Sequence, residues 1–368
     1  MYASIARPFR HVLPLLLGSM LVGAALVRPG ASAQPGAEYI VQATTAEAAS
    51  RAVIDAGGAV MRRLEIIDGV SAALPAAALA RLRASAGVRL HANGAVRVAD
   101  DTPAADTRGE TTTSGFTLYP SAATGAAALQ QRAVSTRVAP CTGQQAAPTG
   151  AVVQKPLLGY GVTVAVIDSG LLRMRNRQGA NSGWDSYDAP TRTLYVEGDS
   201  ASGISRCIVY RDFLPQSADN ANIGPQDSRN SADQYGHGTH VISSIADNRV
   251  ALLGPNLSGP VGVAPKVNLV IARALDKDGG GKYDDLIAAV QWVLENKDRY
   301  NIRVLNLSIG SNPVAPADFD PMTRVVEYAW LNGITVVCEA GNEGEFGAGG
   351  ILSPGTSPYV ITVGATDT

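Results

Sequence analysis

The sequence predicts an α/β protein, a parallel sheet with helices on both faces, preceded by a small α+β unit. Three observations carry that prediction. From Gly161 onward, apolar runs rich in β-branched residues alternate with helical patterns: Val162 to Ile167, Val267 to Leu275, Val304 to Leu307, Thr335 to Cys338 and Val360 to Val363 as strands, Tyr283 to Asn296 and Met322 to Asn332 as helices. Strands that are apolar along their whole length suit a parallel sheet covered on both faces, joined by right-handed crossovers. Residues 38–98 read as β-α-β-β-α-β, a ferredoxin-like split order. Composition supplies the third observation: 46% of the 368 residues are hydrophobic and only 17% charged, enough to fill a large core and too apolar for global disorder.

The first 33 residues read as a secretory signal. Arg7 and Arg10 give a positive start, Val12 to Val27 a charge-free apolar run, and Ala31-Ser32-Ala33 a cleavage pattern. The rival, a membrane anchor, is weakened by the short run and by Pro14, Gly18 and Gly23. A secreted protein is therefore expected. In the unit at 38–98, Glu38 to Gln42 is strand-like. Thr44 and Glu47 have capping-box spacing and open a helix to about Ala56, which Gly57-Gly58 ends. Val60 to Ile67 is a strand, Asp68-Gly69 a turn and Val70 to Leu74 another strand. Pro75 starts a second helix, and Val88 to Val98 supplies the last strand. Residues 99–155, rich in Thr, Ala, Gly, Gln and Pro, read as a linker or loosely packed extension, and 156–368 as the main domain.

Composition also excludes functions. The formal charge of −2 leaves no electrostatic footprint for nucleic acid, and 5% aromatics cannot build stacking platforms for bases. Three cysteines are too few for a disulfide scaffold. Export permits a Cys141–Cys207 pair, whereas Cys338, in an apolar run, reads as a buried free thiol.

Sites in parallel sheets lie at the carboxyl ends of strands, so the residues just after each apolar run are the candidates. Asp168-Ser169-Gly170 comes after the first. It fits an aspartic dyad, a plain turn, or a carboxylate that orients a histidine; a dyad needs a second carboxylate, and Asp367-Thr368 is the only further hint. Tyr235 to Val241 holds His237 and His240. Two histidines three apart suggest a metal, yet a zincin helix spaces them four apart around a glutamate. Glycines on both sides of His237 suit a histidine that must meet a substrate. Ala340 to Gly344 comes after a later strand, where Asn342 is either a turn residue or an amide donor to a developing oxyanion.

Taken in order, Val164 to Gly170, His237 to Val241, Gly262-Val263-Ala264-Pro265, Asn306 to Gly310 and Ala340-Gly341-Asn342 resemble the subtilisin-like serine peptidases, from about Gly161 onward. The unit at 38–98 resembles, less specifically, the inhibitory propeptide of that family. The resemblance implies a serine endopeptidase with His237 as general base, Asp168 holding its tautomer and Asn342 in the oxyanion hole. It implies substrate pairing along Gly279, Gly280 and Gly281 on one side and Ser308, Ile309 and Gly310 on the other, by strand addition. Glu339 stands where the family has a small residue beside the main side-chain pocket; it either pairs with a basic substrate side chain or bonds locally and points away. Protein substrates, the chain's own propeptide as inhibitor, a monomer and no cofactor for the chemistry are implied. Structural calcium at unknown sites is allowed, although Asp212, Asp219 and Asp227 form no recognisable loop.

Two departures stand out. The family's Gly-Thr-Ser element lies well beyond the segment resembled by Val360 to Ala365, so the nucleophile is expected past Thr368, on a longer chain. Gly355-Thr356-Ser357 precedes that strand and is taken as a decoy. The polar insertion between Asp168 and His237 carries no motif. Asn256 and Asn306 begin formal glycosylation sequons, the second discounted because it ends a core strand. The rival readings are an inactive binding protein of the same fold and a metal-dependent hydrolase using His237 and His240.

Overall fold

The computed structural model describes residues 36–98, 120–137, 152–171, 208–215, 233–247, 250–254, 257–312, 315–342 and 350–365. The signal segment, Cys141, Cys207, Asp219, Asp227 and Asn256 lie outside the described residues. No described helix is long and apolar enough to cross a membrane.

The chain opens with β1 (Ala37–Gln42), α1 (Ala46–Asp55), β2 (Ala59–Leu64), a 3-10 turn (Glu65–Ile67), β3 (Gly69–Leu74), α2 (Ala76–Arg83) and β4 (Arg89–Ala92). These strands make an antiparallel sheet in the order β2-β3-β1-β4. Three local readings are corrected. Thr45, not Thr44, caps α1, its side chain accepting from the Ala48 amide, because the helix starts one residue later than the capping-box spacing implied. The strand read to Ile67 stops at Leu64, where the backbone tightens into the 3-10 turn that delivers Asp68 in the left-handed region. The run from Val88 to Val98 is two strands, since β5 (Ala95–Arg97) leaves the sheet to pair elsewhere.

The described part of the stretch expected to be linker carries secondary structure. It holds α3 (Pro120–Ala123), α4 (Ala126–Gln130) and β6 (Ala133–Arg137), which pairs antiparallel with β7 (Val152–Pro156). Docking explains it. The Ser121 hydroxyl donates to the Pro260 carbonyl at 2.6 Å, and the buried Gln130 amide donates to the carbonyls of Gly262 and Val263.

The rest supplies β8 (Thr163–Asp168), β9 (Ile208–Asp212), α5 (His237–Ala246), the hairpin β10 (Val250–Gly254) and β11 (Leu257–Pro260), β12 (Asn268–Arg273), β13 (Gly280–Lys282), α6 (Tyr283–Glu295), β14 (Ile302–Leu307), α7 (Pro321–Leu331), β15 (Thr335–Glu339) and β16 (Ile361–Val363). Six of these strands form a parallel sheet in the order β16-β15-β14-β8-β12-β9. β8 is inside it and buried at every residue. Its side chains alternate between two cores. Ala165 and Ile167 pack with α6 and α7, while Val164 and Val166 pack with Ile242 and Ala246 of α5. Helices therefore cover both faces, as continuous apolar strands require. β9 is not among the predicted strands; it lies at the sheet edge inside the polar insertion.

The small sheet has its own core on one face, where Val41, Val70 and Leu74 meet Val53 and Leu82. From its other face Ile40 and Leu64 join the large core with α6 and α7.

Candidate active site

Asp168 is the last residue of β8, and His237 is the first of α5. Their side chains meet: His237 Nδ1 lies 2.9 Å from Oδ1 and 3.0 Å from Oδ2 of Asp168. Carboxylate oxygens accept, so Nδ1 donates and Nε2 is left as the basic nitrogen. Asp168 is fully buried, whereas the imidazole keeps about a fifth of its surface (21%) open to solvent.

Local chemistry fixes this pair. The Ser169 amide and hydroxyl both donate to Asp168 Oδ1, and the same hydroxyl accepts from the Gly238 amide at 2.9 Å, tying the end of β8 to the start of α5. Gly238 has to be glycine. A Cβ there would lie 2.3 Å from the Gly170 carbonyl oxygen and 3.2 Å from Asp168 Oδ1. Gly236, at φ +99°, turns the chain into the helix in a conformation that side chains disfavour. Asp233 caps that turn: one oxygen accepts from the Gly236 amide and the other from the amide and hydroxyl of Thr239. Burial pulls the His237 pKa down. The hydrogen bond and charge of Asp168, helped by Glu339 and Asp233, outweigh it and hold the pKa above the ordinary 6.5.

The segments read as substrate walls are occupied by the chain itself. β5 pairs antiparallel with β13, Gly280 opposite Arg97 and Gly281 opposite Val96. On its other side, the Arg97 amide donates to the Gly310 carbonyl at 3.1 Å and the Gly310 amide to the Arg97 carbonyl at 3.0 Å. The Val98 amide donates to the Gly279 carbonyl. Residues 95–98 thus run as a strand between Gly279 to Lys282 and Gly310. Ser308 and Ile309 lead into that second wall from β14, Ile309 fully buried. Beyond it, the Ser311 hydroxyl meets the Tyr283 hydroxyl of α6 at 2.7 Å.

Glu339 closes β15 and is partly buried. Burial, and then Asp168, push its carboxyl up to about 7, against the pull of His237. Asn342 stands three residues further on and is exposed. Cys338 is buried and free, and burial followed by Glu339 pushes its thiol up to about 12.

Other candidates are drawn elsewhere. Ser357 is buried with its hydroxyl donating to Glu327 and accepting from the Tyr359 amide. Asp212, weighed as a calcium ligand, forms a buried ion pair with Arg273 at 3.1 Å, both side chains 1% exposed. His240 is exposed on α5, and His237 Nδ1 is already committed to Asp168. Among the described residues, no three His, Cys, Asp or Glu side chains are grouped to hold a metal. Sequence reasoning missed Asp233 and Ser169. Their signal was an acid three residues before the helix-opening glycine and a hydroxyl beside the candidate acid.

The chain is 33% identical over 217 residues to serine protease AprX of Bacillus subtilis, covering 57% of this chain and 39% of that protein. It is 35% identical over 136 residues to subtilisin DY of Bacillus licheniformis, 37% of this chain and 44% of that one. With subtilisin E of Bacillus subtilis it shares 28% over 211 residues, 56% of this chain and 51% of the other. The chain therefore spans about half or less of the length of these relatives. The strands that carry Asp168 and Glu339, and the helix that carries His237, all fall within residues 159–368, which match the subtilase family (peptidase S8). That match covers more than half of the sequence, and the chain belongs to the subtilase family.

Proposed function

We propose that the protein is a serine endopeptidase that hydrolyses peptide bonds in proteins. The observation that supports this best is the His237–Asp168 pair, with Nδ1 bonded to a buried carboxylate and Nε2 left to take a proton. In this reading His237 removes the proton from an attacking serine hydroxyl and returns it to the leaving amine. Asp168 steadies the imidazolium, and Asn342 donates to the oxyanion. Ser357, engaged with Glu327, and Ser169, engaged with Asp168 and Gly238, are not the attacking hydroxyl in this reading. The chemistry needs no cofactor.

Residues 38–98 act as an inhibitory propeptide of ferredoxin-like fold. The support is β5, which pairs with both candidate walls as a peptide substrate would. The protein is secreted through its N-terminal signal and works as a monomer on protein substrates.

The test is the full natural chain. A fluorophosphonate probe should label it, casein should be cut, and the mature N-terminus should lie C-terminal to Val98. Turnover should rise with pH on the alkaline side of 6.5, because the histidine must be neutral and its pKa is raised. His237→Ala should cost at least about 10⁴-fold in turnover. Wild-type chain that neither labels nor cuts would refute the peptidase reading, and a mature start within 38–98 would refute the propeptide.

A further inference from the structure

Among the described residues, one carboxylate beside the Gly310 wall lacks a match. Glu339 Oε1 is buried and has no hydrogen-bond partner among the described residues. A Cβ built on Gly310 would sit 3.3 Å from that oxygen, so it lies against the wall residue that pairs with Arg97. Leu307 pairs with Cys338, which sets Glu339 alongside Ser308 at the ends of β14 and β15. A carboxylate that bonded locally for structural reasons would have a donor here. A buried acceptor left without one is costly, and this one lies against the wall that pairs with an extended strand.

The strand in the cleft shows which peptide residue comes near. Arg97 and Gly310 exchange both amide bonds. In antiparallel pairing that relation recurs every second residue, so a peptide in this register brings its residue two beyond the Arg97 place opposite Ser308. A lysine brings a compact charge with three donors, and an arginine a planar fork.

We infer that Glu339 is a specificity-determining residue that selects substrates carrying lysine or arginine immediately before the bond that is cut. The inference rests on the peptidase reading above. The charged groups that face this carboxyl are His237 and Asp168, with the Cys338 thiol adjoining it in the chain. Burial holds the carboxyl near 7, so selectivity for a cation should strengthen as pH rises through that value.

The experiment uses the full natural chain and peptides that differ only at the residue before the cleaved bond: Lys, Arg, Ala or Phe. The Lys-to-Ala ratio of kcat/KM should be about 10- to 100-fold in the wild type, the range that a hydrogen bond to a charged group carries. It should grow between pH 6 and 8. In Glu339→Gln and Glu339→Ala it should fall towards one and lose its pH dependence. A ratio within each protein is independent of how much of it is folded. An unchanged ratio in both variants, or a wild type that prefers Ala or Phe, overturns the role of Glu339 and leaves the peptidase reading standing. A wild type that cuts none of these peptides, and no casein, overturns both.

Discussion

The two sheets solve the same burial problem differently. The six-stranded parallel sheet is covered on both faces by helices of its own domain, and β8 has no exposed residue. The antiparallel sheet at the start of the chain has α1 and α2 on one face and borrows α6 and α7 for the other. The rim of that borrowed contact is polar. Arg62 pairs with Asp285 at 3.0 Å, Asn93 donates to Asp284 at 2.8 Å, and Lys282 pairs with Glu38 at 2.7 Å. An apolar centre with a polar, hydrogen-bonded rim is the anatomy of a protein–protein interface. The first sheet is held like a partner and the second like a core.

Substitutions should separate the two regions. The largest effect is expected inside the parallel-sheet domain. Gly238→Ala forces a methyl onto the Gly170 carbonyl and must push α5 away from β8. Overpacking of this kind costs about 1–3 kcal/mol. Displacing His237 by about 1 Å should lower turnover roughly 100-fold. Thermal unfolding and casein hydrolysis measure both, and an active, equally stable variant would show that the close approach is not required.

The next effect belongs to the interface. Burial, and then Asp284, push the Asp285 carboxyl up to about 7, against Arg62 and Lys282. In an undocked unit solvent would return it towards 3.8. A pKa raised in the docked state means that docking is favoured in full below about 3.8 and that the contribution is lost as pH rises to about 7. Hydrogen-exchange protection of β1–β4 in the intact chain should therefore fall across that window, and Asp285→Asn should flatten the slope. Arg62→Ala, which leaves Asp285 without its guanidinium, should lower protection by about 10- to 100-fold at neutral pH. Equal protection in the two proteins would mean that the apolar centre alone holds the unit.

The smallest effect is local to the first sheet. Thr45→Ala removes the cap of α1 and should cost about 1 kcal/mol, visible as a lower unfolding temperature of β1–β4 with turnover unchanged.

The same division governs what the sequence reveals. Strands such as Thr163–Asp168 and Asn268–Arg273 are legible because burial on two faces writes a continuous apolar run. β9 is not. Its residues Ile208–Asp212 mix apolar and charged side chains at an edge, where one flank needs no partner. Nothing local in Gly280–Lys282 reveals β13, because its pairing partner is Ala95–Arg97, far away in the chain. At the site, Asp168 and His237 are legible from glycines and strand ends, whereas Asp233 reads as an ordinary turn residue until its bonds to Gly236 and Thr239 are seen. The identity of Glu339 is legible; its unmatched oxygen is not.

The register of β8 has a kinetic consequence. Thr163 pairs with Asn268 on one side and with Ile302 on the other. Such contacts close long loops before they return any energy, so topologies built on them fold slowly. β2 and β3, joined by a short turn, need no such search. The antiparallel ladder is available early, while the carboxylate and imidazole that define the site come together only when remote segments have found each other. The Asp168–His237 pair is therefore among the last features this chain assembles as it folds, and in a partly folded molecule the two side chains have not yet met.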